Sequence, residues 1–186
     1  MDFFLNDEEK ILLLKTAREA IRARLAEGKP EYPDPTPLLR EKCGAFVTLH
    51  KAGKLRGCIG HVEAFDPLFD TVIEVALASA FSDPRFSPVE TDELGSLEIE
   101  ISALSPLKRI RDLNEIKTGI HGVMLKQGNY SGLLLPQVAA EYGWDRQTFL
   151  THTCQKAGLP GDCWKSRDTE IEIFSAIVFN ERDFNL

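Results

Sequence analysis

Six consecutive residues, Leu55, Arg56, Gly57, Cys58, Ile59 and Gly60, concentrate the reactive chemistry of this 186-residue chain. Two glycines flank a cysteine in an otherwise strand-like run. Glycine weakens strands and is kept where a backbone bends or something approaches closely. A thiol attacks as its thiolate, which a neighbouring cation such as Arg56 favours. His50 or His61 could take the proton, so Cys58 is a candidate nucleophile or covalent carrier. The plain alternative is that Cys58 is a small buried residue and that Gly57 and Gly60 make room for a packed helix. Arg85, within Asp83-Pro84-Arg85-Phe86, sits on a proline-stiffened turn. It could clamp a carboxylate or phosphate, or pair with an acidic neighbour. Cys58 and His61 also form C-x-x-H, half of a zinc site. His152, Cys154 and Cys163 lack the spacing of the other half, so no metal is expected. Lys108, Arg109 and Arg111 read as a solvated basic face in preference to an RNA site. No Walker loop, G-x-S-x-G or G-x-G-x-x-G is present, and no cofactor is assigned.

The elements that must position these groups follow from periodicity. Asn6 and Glu9 have the spacing of a capping box, and Ile11, Leu14, Ala17, Ile21 and Leu25 recur at helical spacing up to Gly28. Prolines at 30, 33, 35 and 37 then impose an extended strap. From Ala45 the pattern alternates. Val47 and Leu49 oppose Phe46, Thr48 and His50, and Leu55, Gly57 and Ile59 oppose Arg56, Cys58 and Gly60. A hairpin centred on Gly53 pairs His50 with Arg56 and Thr48 with Cys58, which places Cys58, Arg56 and His50 on one face. On this register Gly57 meets the core, and a methyl at Gly60 crowds the thiol. A buried helix follows, with Asp66 as cap and Pro67 at its first position. Leu97, Ile99, Ile101 and Ala103 point inward on the next strand. There Glu98 and Glu100 face solvent or Arg56. A second hairpin turns around Gln127-Gly128-Asn129, Asp145 opens a helix ended by Gly158, and residues 170–179 form the last strong strand. The hairpins echo one another, with Gly53 and Gly57 spaced like Gly128 and Gly132. Shared turn chemistry accounts for this as readily as common descent.

Composition sets the limits. Hydrophobic residues make up 43% and charged residues 27%, ordinary for a globular chain, and the net charge is −7. A bulk basic footprint is absent, which disfavours nucleic acid. No stretch is long and apolar enough to span a membrane, and the acidic start is unlike a signal peptide. Four unevenly spaced cysteines do not make a disulfide framework, so a reduced cytoplasmic protein is expected. The predicted fold class is α+β, with a largely antiparallel sheet flanked by helices.

The run F-V-T-L-x-x-x-G-x-L-R-G-C-I-G resembles the AMMECR domain family. So do S-D-P-R-F-S-P-V, L-E-I-E-I-S and K-A-G-L-P-x-x-x-W, in matching order from about Phe46 to Phe179. The resemblance implies one AMMECR-like domain over residues 1–186, made of a larger lobe, a smaller second lobe and an inter-lobe cleft. A compact microbial member is the A component of systems that also hold a Memo-like protein and a radical SAM protein, which are therefore the implied partners. Because the family has no settled activity, two functions remain open. One is a cysteine-dependent enzyme or catalytic subunit acting on a small anionic or nucleotide-like substrate. There Cys58 is nucleophile, His50 or His61 shuttles the proton, and Arg56, Gly57, Gly60 and Arg85 form the binding surface. The other is a non-catalytic module that binds a partner or delivers a ligand, with hard chemistry left to the radical cofactor.

Overall fold

The N-terminal helix α1, Asp7–Leu25, begins where the capping box predicts, with the Asn6 side chain on the Glu9 N–H and the Glu9 side chain on the Asn6 N–H. It ends earlier than Gly28 suggests: Ala26 is the cap and Glu27 takes the left-handed conformation at φ 50°. The computed structural model describes residues 3–63 and 65–186. Strands β1, Ala45–Lys51, and β2, Lys54–His61, form the first hairpin, and α2, Leu68–Phe81, follows. Then come β3, Leu97–Leu104, and the short β4, Lys108–Ile110. The second hairpin is β5, His121–Gln127, with β6, Tyr130–Leu134. Helices α3, Pro136–Glu141, and α4, Arg146–Lys156, lead to β7, Glu170–Asn180. The pairings β1–β2, β1–β3, β4–β7, β5–β6 and β5–β7 are antiparallel, so the fold is α+β as predicted.

The chain divides into two compact units, residues up to Pro106 with Ile177–Leu186, and Leu107–Ala176. In the first, the strand order is β2-β1-β3, followed by the C-terminal end of β7. Val47, Leu49, Ile99 and Ile101 are at most 1% exposed and share a core with Leu14, Ile21, Val72 and Ala76 of α1 and α2. The alternation read from the sequence is therefore the real face assignment along β1 and β3. In the second unit β7 is flanked by β4 and β5, with β6 outside β5. Phe149, Leu150, Val123 and Ile173 centre its core.

Two sequence expectations change and one element is added. Asp66 does not cap α2, since Pro67 occupies that position without a side-chain bond and Asp66 offers only its carbonyl to the Thr71 hydroxyl. Helix α3, too short for a periodic signature, was invisible beforehand. The expectation of a fully reduced chain fails at Cys154 and Cys163, which form a disulfide with Cα atoms 5.9 Å apart. Cys154 lies in the last turn of α4, and Gly158, Pro160 and Gly161 turn the chain back so that Cys163 returns beside it. Cys43 and Cys58 are free.

Candidate functional site

The first hairpin turns on two residues. Ala52 and Gly53 lie at φ 52° and 74°, the left-handed pair that a tight hairpin turn requires. Lys51 therefore opposes Lys54, and His50 opposes Leu55. Beyond them the register shifts: Leu49 opposes Gly57 and Thr48 opposes Cys58, leaving Arg56 as the extra residue of a β-bulge. The predicted pairing of Thr48 with Cys58 is correct, and that of His50 with Arg56 is not. Opposed residues share a face, so Cys58 lies on the face of Thr48, His50 and Leu55. The bulge sends Arg56 the other way.

Arg56 is consequently not beside the thiol. Its guanidinium grips Glu93 through two bonds of 3.0 and 2.8 Å and donates to the carbonyls of Ser87 and Pro88. Lys51 adds a third bond to Glu93, at 2.8 Å. Arg56, then Lys51 and the Glu90 N–H, hold the Glu93 carboxyl far below the usual carboxylate range against the opposing effect of burial. Arg56 thus staples the 82–96 segment to the bulge, and its charge is already balanced. Glu98 does not face Arg56 either; it pairs with Arg182.

The two glycines are packing positions. A Cβ on Gly57 would sit 2.2 Å from the Ser79 carbonyl oxygen, so only glycine lets α2 press onto β2. This agrees with the predicted core-facing role. A Cβ on Gly60 would lie 2.3 Å from the Ala45 carbonyl and 2.4 Å from the Phe46 ring. Gly60 is thus closed by β1 itself, and the expected crowding of the thiol is replaced by a clash with the neighbouring strand.

The end of α2 supplies what surrounds Cys58. The Ser79 hydroxyl donates to the Val47 carbonyl at 2.7 Å and accepts from the Ile59 N–H at 2.8 Å, inserting itself into the β1–β2 ladder. Asp83, 4% exposed, accepts the Cys58 N–H at 2.8 Å. Arg85 donates to the Cys58 carbonyl at 3.1 Å and holds Asp83 through bonds of 2.9 and 2.6 Å. Together Asp83 and Arg85 satisfy the Cys58 backbone N–H and carbonyl on β2, a terminal strand in the pairing order, where an unpaired edge would otherwise be open. The Arg85 guanidinium and two backbone N–H groups hold the Asp83 carboxyl far below the usual carboxylate range. Asp83 in turn raises the Arg85 pKa, with a further contribution from the Cys58 sulfur.

The half-buried Cys58 thiol accepts a bond from the Thr48 hydroxyl at 3.3 Å. Cys58, Thr48, Asp83 and Arg85 are thus brought together. The two candidate histidines stand apart. His61 falls on the opposite face of β2, donates from Nδ1 to the Glu63 carbonyl at 3.0 Å, and lies 3.7 Å from Glu74. His50 shares the face of Cys58 but is two residues further along β1 than Thr48, and it lines a hollow with Glu98, Glu100 and Asp183. Thr48 was legible as the cross-strand partner of Cys58. Asp83 and Ser79 were not singled out, although a serine on the apolar side of a buried helix and an acid two residues before Arg85 were signals. Among the described residues no group of three or more histidines, cysteines, aspartates or glutamates could hold a metal.

An antiparallel α+β sheet whose terminal strand carries L-R-G-C-I-G beneath a D-P-R turn defines a class, and comparison identifies it. The AMMECR1 family model matches residues 14–179, and the chain belongs to that family. It is 44% identical to Protein PH0010 of Pyrococcus horikoshii, over 97% of this chain and 94% of that one. It is 45% identical to Protein MK0488 of Methanopyrus kandleri, over 95% and 90%. The crystal structure of the uncharacterized protein PH0010 superposes with a TM-score of 0.83 at 43% identity, covering 96% of this chain and 94% of that one.

Proposed function

We propose that this chain is a binding module that presents Cys58 and Arg85 to a small anionic ligand or a partner protein, with any bond-making chemistry supplied elsewhere. One observation carries the reading. The side chains brought together at Cys58 are the Thr48 hydroxyl, the Arg85 guanidinium and the Asp83 carboxylate. The first two are not bases at neutral pH, and Arg85 with two backbone N–H groups already engages the third and holds it far below the usual carboxylate range. A nucleophilic cysteine of the Cys–His type needs an imidazole within hydrogen-bond reach, whereas His61 turns to the Glu63 carbonyl on the opposite face and His50 lines a separate hollow. The half-exposed Arg85 fork, although engaged by Asp83, keeps donor capacity beside the thiol and suits a carboxylate or phosphate.

The partners implied by the family resemblance, a Memo-like protein and a radical SAM protein, are the natural first candidates for this surface. The test is a binding assay against each with wild type, Cys58→Ala and Arg85→Gln. The reading expects Arg85→Gln to weaken association by about tenfold, the weight of one charge-assisted bond, while Cys58→Ala retains it within a few-fold. Turnover of a small substrate that is abolished by Cys58→Ser would replace this reading with the cysteine-enzyme one.

A further inference from the structure

The second unit differs from the rest of the chain in charge. Residues 107–176 hold nine lysines and arginines against eight aspartates and glutamates, whereas the remaining residues hold thirteen against twenty-one. Much of that positive charge gathers at two adjoining grooves of about 480 and 470 Å³, which share Arg111, Leu113 and Trp164. Arg109, Lys165 and Arg167 complete the cationic lining of the first, and Arg146 that of the second.

These grooves hold two acids. Glu170 is paired with Arg109 at 2.8 Å; Asp112 accepts only the Asn114 N–H at 2.9 Å and keeps its charge, so the remaining cations still outnumber it. Arg146 is held by the Ile116 carbonyl and the Asn114 side chain, neither of them charged. Arg111, Lys165 and Arg167 are exposed and have no carboxylate partner among the described residues; Lys165 rests over the Trp164 ring at 5.1 Å. The Trp164 indole N–H is itself buried and finds no acceptor among the described residues. An unpaired arginine fork fits carboxylate and phosphate alike, but one carboxylate neutralises only one of these cations. Several converging cations call for a ligand with more than one negative charge, and the apolar floor of Ile110, Leu113 and Trp164 offers an organic group a dry surface.

We propose that the grooves around Trp164 form a binding site for a small molecule bearing a diphosphate, held by Arg111, Lys165 and Arg167. This site uses none of the residues around Cys58 and is independent of the function proposed for them.

The test is titration calorimetry of the full chain with inorganic pyrophosphate and with adenosine diphosphate, at about 50 mM salt so that screening does not mask the contacts. A single-stranded oligoribonucleotide and a hexaglutamate peptide serve as comparisons. Both diphosphates are expected to bind with Kd below about 1 mM. The Arg111→Gln/Arg167→Gln variant should lose about tenfold or more, since each lost charge-assisted contact weakens the anion. Arg24→Gln, an exposed cation of α1, should change nothing. Both substituted arginines are exposed and make no side-chain bond among the described residues, so an unaltered thermal melt of the double variant is expected and separates binding from folding. Failure of either diphosphate to bind, equal weakening by Arg24→Gln, or retention of binding in the double variant would overturn the proposal. So would hexaglutamate binding as tightly as pyrophosphate. Binding of the oligonucleotide alone would replace the small ligand with a nucleic acid strand.

Discussion

In β1–β2 and in β5–β6 a glycine in the turn is followed, four residues later, by a glycine on the returning strand: Gly53 and Gly57, then Gly128 and Gly132. Both returning glycines admit a helix. A Cβ on Gly57 would meet the Ser79 carbonyl at 2.2 Å, and one on Gly132 would meet the Ala157 nitrogen, just past α4, at 2.4 Å. From there the two regions diverge. The second hairpin runs without interruption from Gln127 opposite Tyr130 to Val123 opposite Leu134, and its helix packs Phe149, Leu150 and Cys154 into an apolar core closed by the Cys154–Cys163 disulfide. The first is bulged at Arg56, and its helix contributes Ser79 while the following turn contributes Asp83 and Arg85. One local pattern thus builds both scaffolds. In the first hairpin, and not in the second among the described residues, side chains from the following helix and turn take over strand backbone groups beyond the break.

The comparison breaks first at the glycines. Gly57→Val and Gly132→Val should each destabilise the chain by about 3 kcal/mol, because the obstructing atoms are helix backbone that cannot rotate away. Denaturant titration measures both. A variant at one position that folds as stably as wild type would show that the two hairpins do not share this close approach.

Next in size is the disulfide, a feature of the second region alone. Cys154→Ser/Cys163→Ser should cost about 2–3 kcal/mol, the loop-closure value for a short covalent ring. Thiol titration of the denatured, unreduced protein should count the two free cysteines that the structure contains. A count of four would remove the cross-link from the comparison.

The bulge comes third. Arg56→Met should cost about 2 kcal/mol, as expected for loss of charged hydrogen bonds to Glu93, while leaving Cys58 alkylation unchanged. A rate that falls with Arg56→Met would return Arg56 to the thiol. The same contacts set a pH dependence of definite sign. Asp83 and Glu93 have folded-state pKa values depressed below their unfolded ones by Arg85 and by Arg56 with Lys51. Their contribution is fully present above the ordinary carboxylate range, about pH 4, and is lost as pH falls further. Titrations at descending pH should show stability dropping below that point, with a shallower drop in Glu93→Gln.

The comparison also explains how much was legible in advance. The second hairpin was found where the alternation of Val123 and Leu125 predicts it, because its ladder is regular, although Gln127, assigned to the turn, pairs with Tyr130 and the turn is Gly128-Asn129. In the first, the residues flanking Ala52 and Gly53 pair with an odd sum and those near Cys58 with an even one. Period-two reasoning assumes a constant sum, so it was right at Cys58 and wrong at Arg56. The capping box of α1 and the inward residues of β3 were readable because they depend on spacing within one segment. Asp83 and Ser79 act across 25 and 20 residues on the N–H groups of Cys58 and Ile59, and no local pattern announces such a bond. The disulfide was missed for the same reason: a nine-residue separation becomes a contact only once the Gly158-Leu159-Pro160-Gly161 turn doubles back.

The most direct test of the account is the rate at which iodoacetate, a carboxylate-bearing reagent, alkylates Cys58 at neutral pH, followed by mass spectrometry of the native protein. Cys43 is an internal reference, because burial pushes its thiol up to about 11 and keeps it protonated across the neutral range. Cys58 should be the thiol modified, and its rate should be the same in wild type, His50→Ala and His61→Ala while falling in Arg85→Gln, which removes the donor for the reagent's carboxylate. A rate that falls with either histidine and ignores Arg85 would contradict the account and restore a Cys–His site.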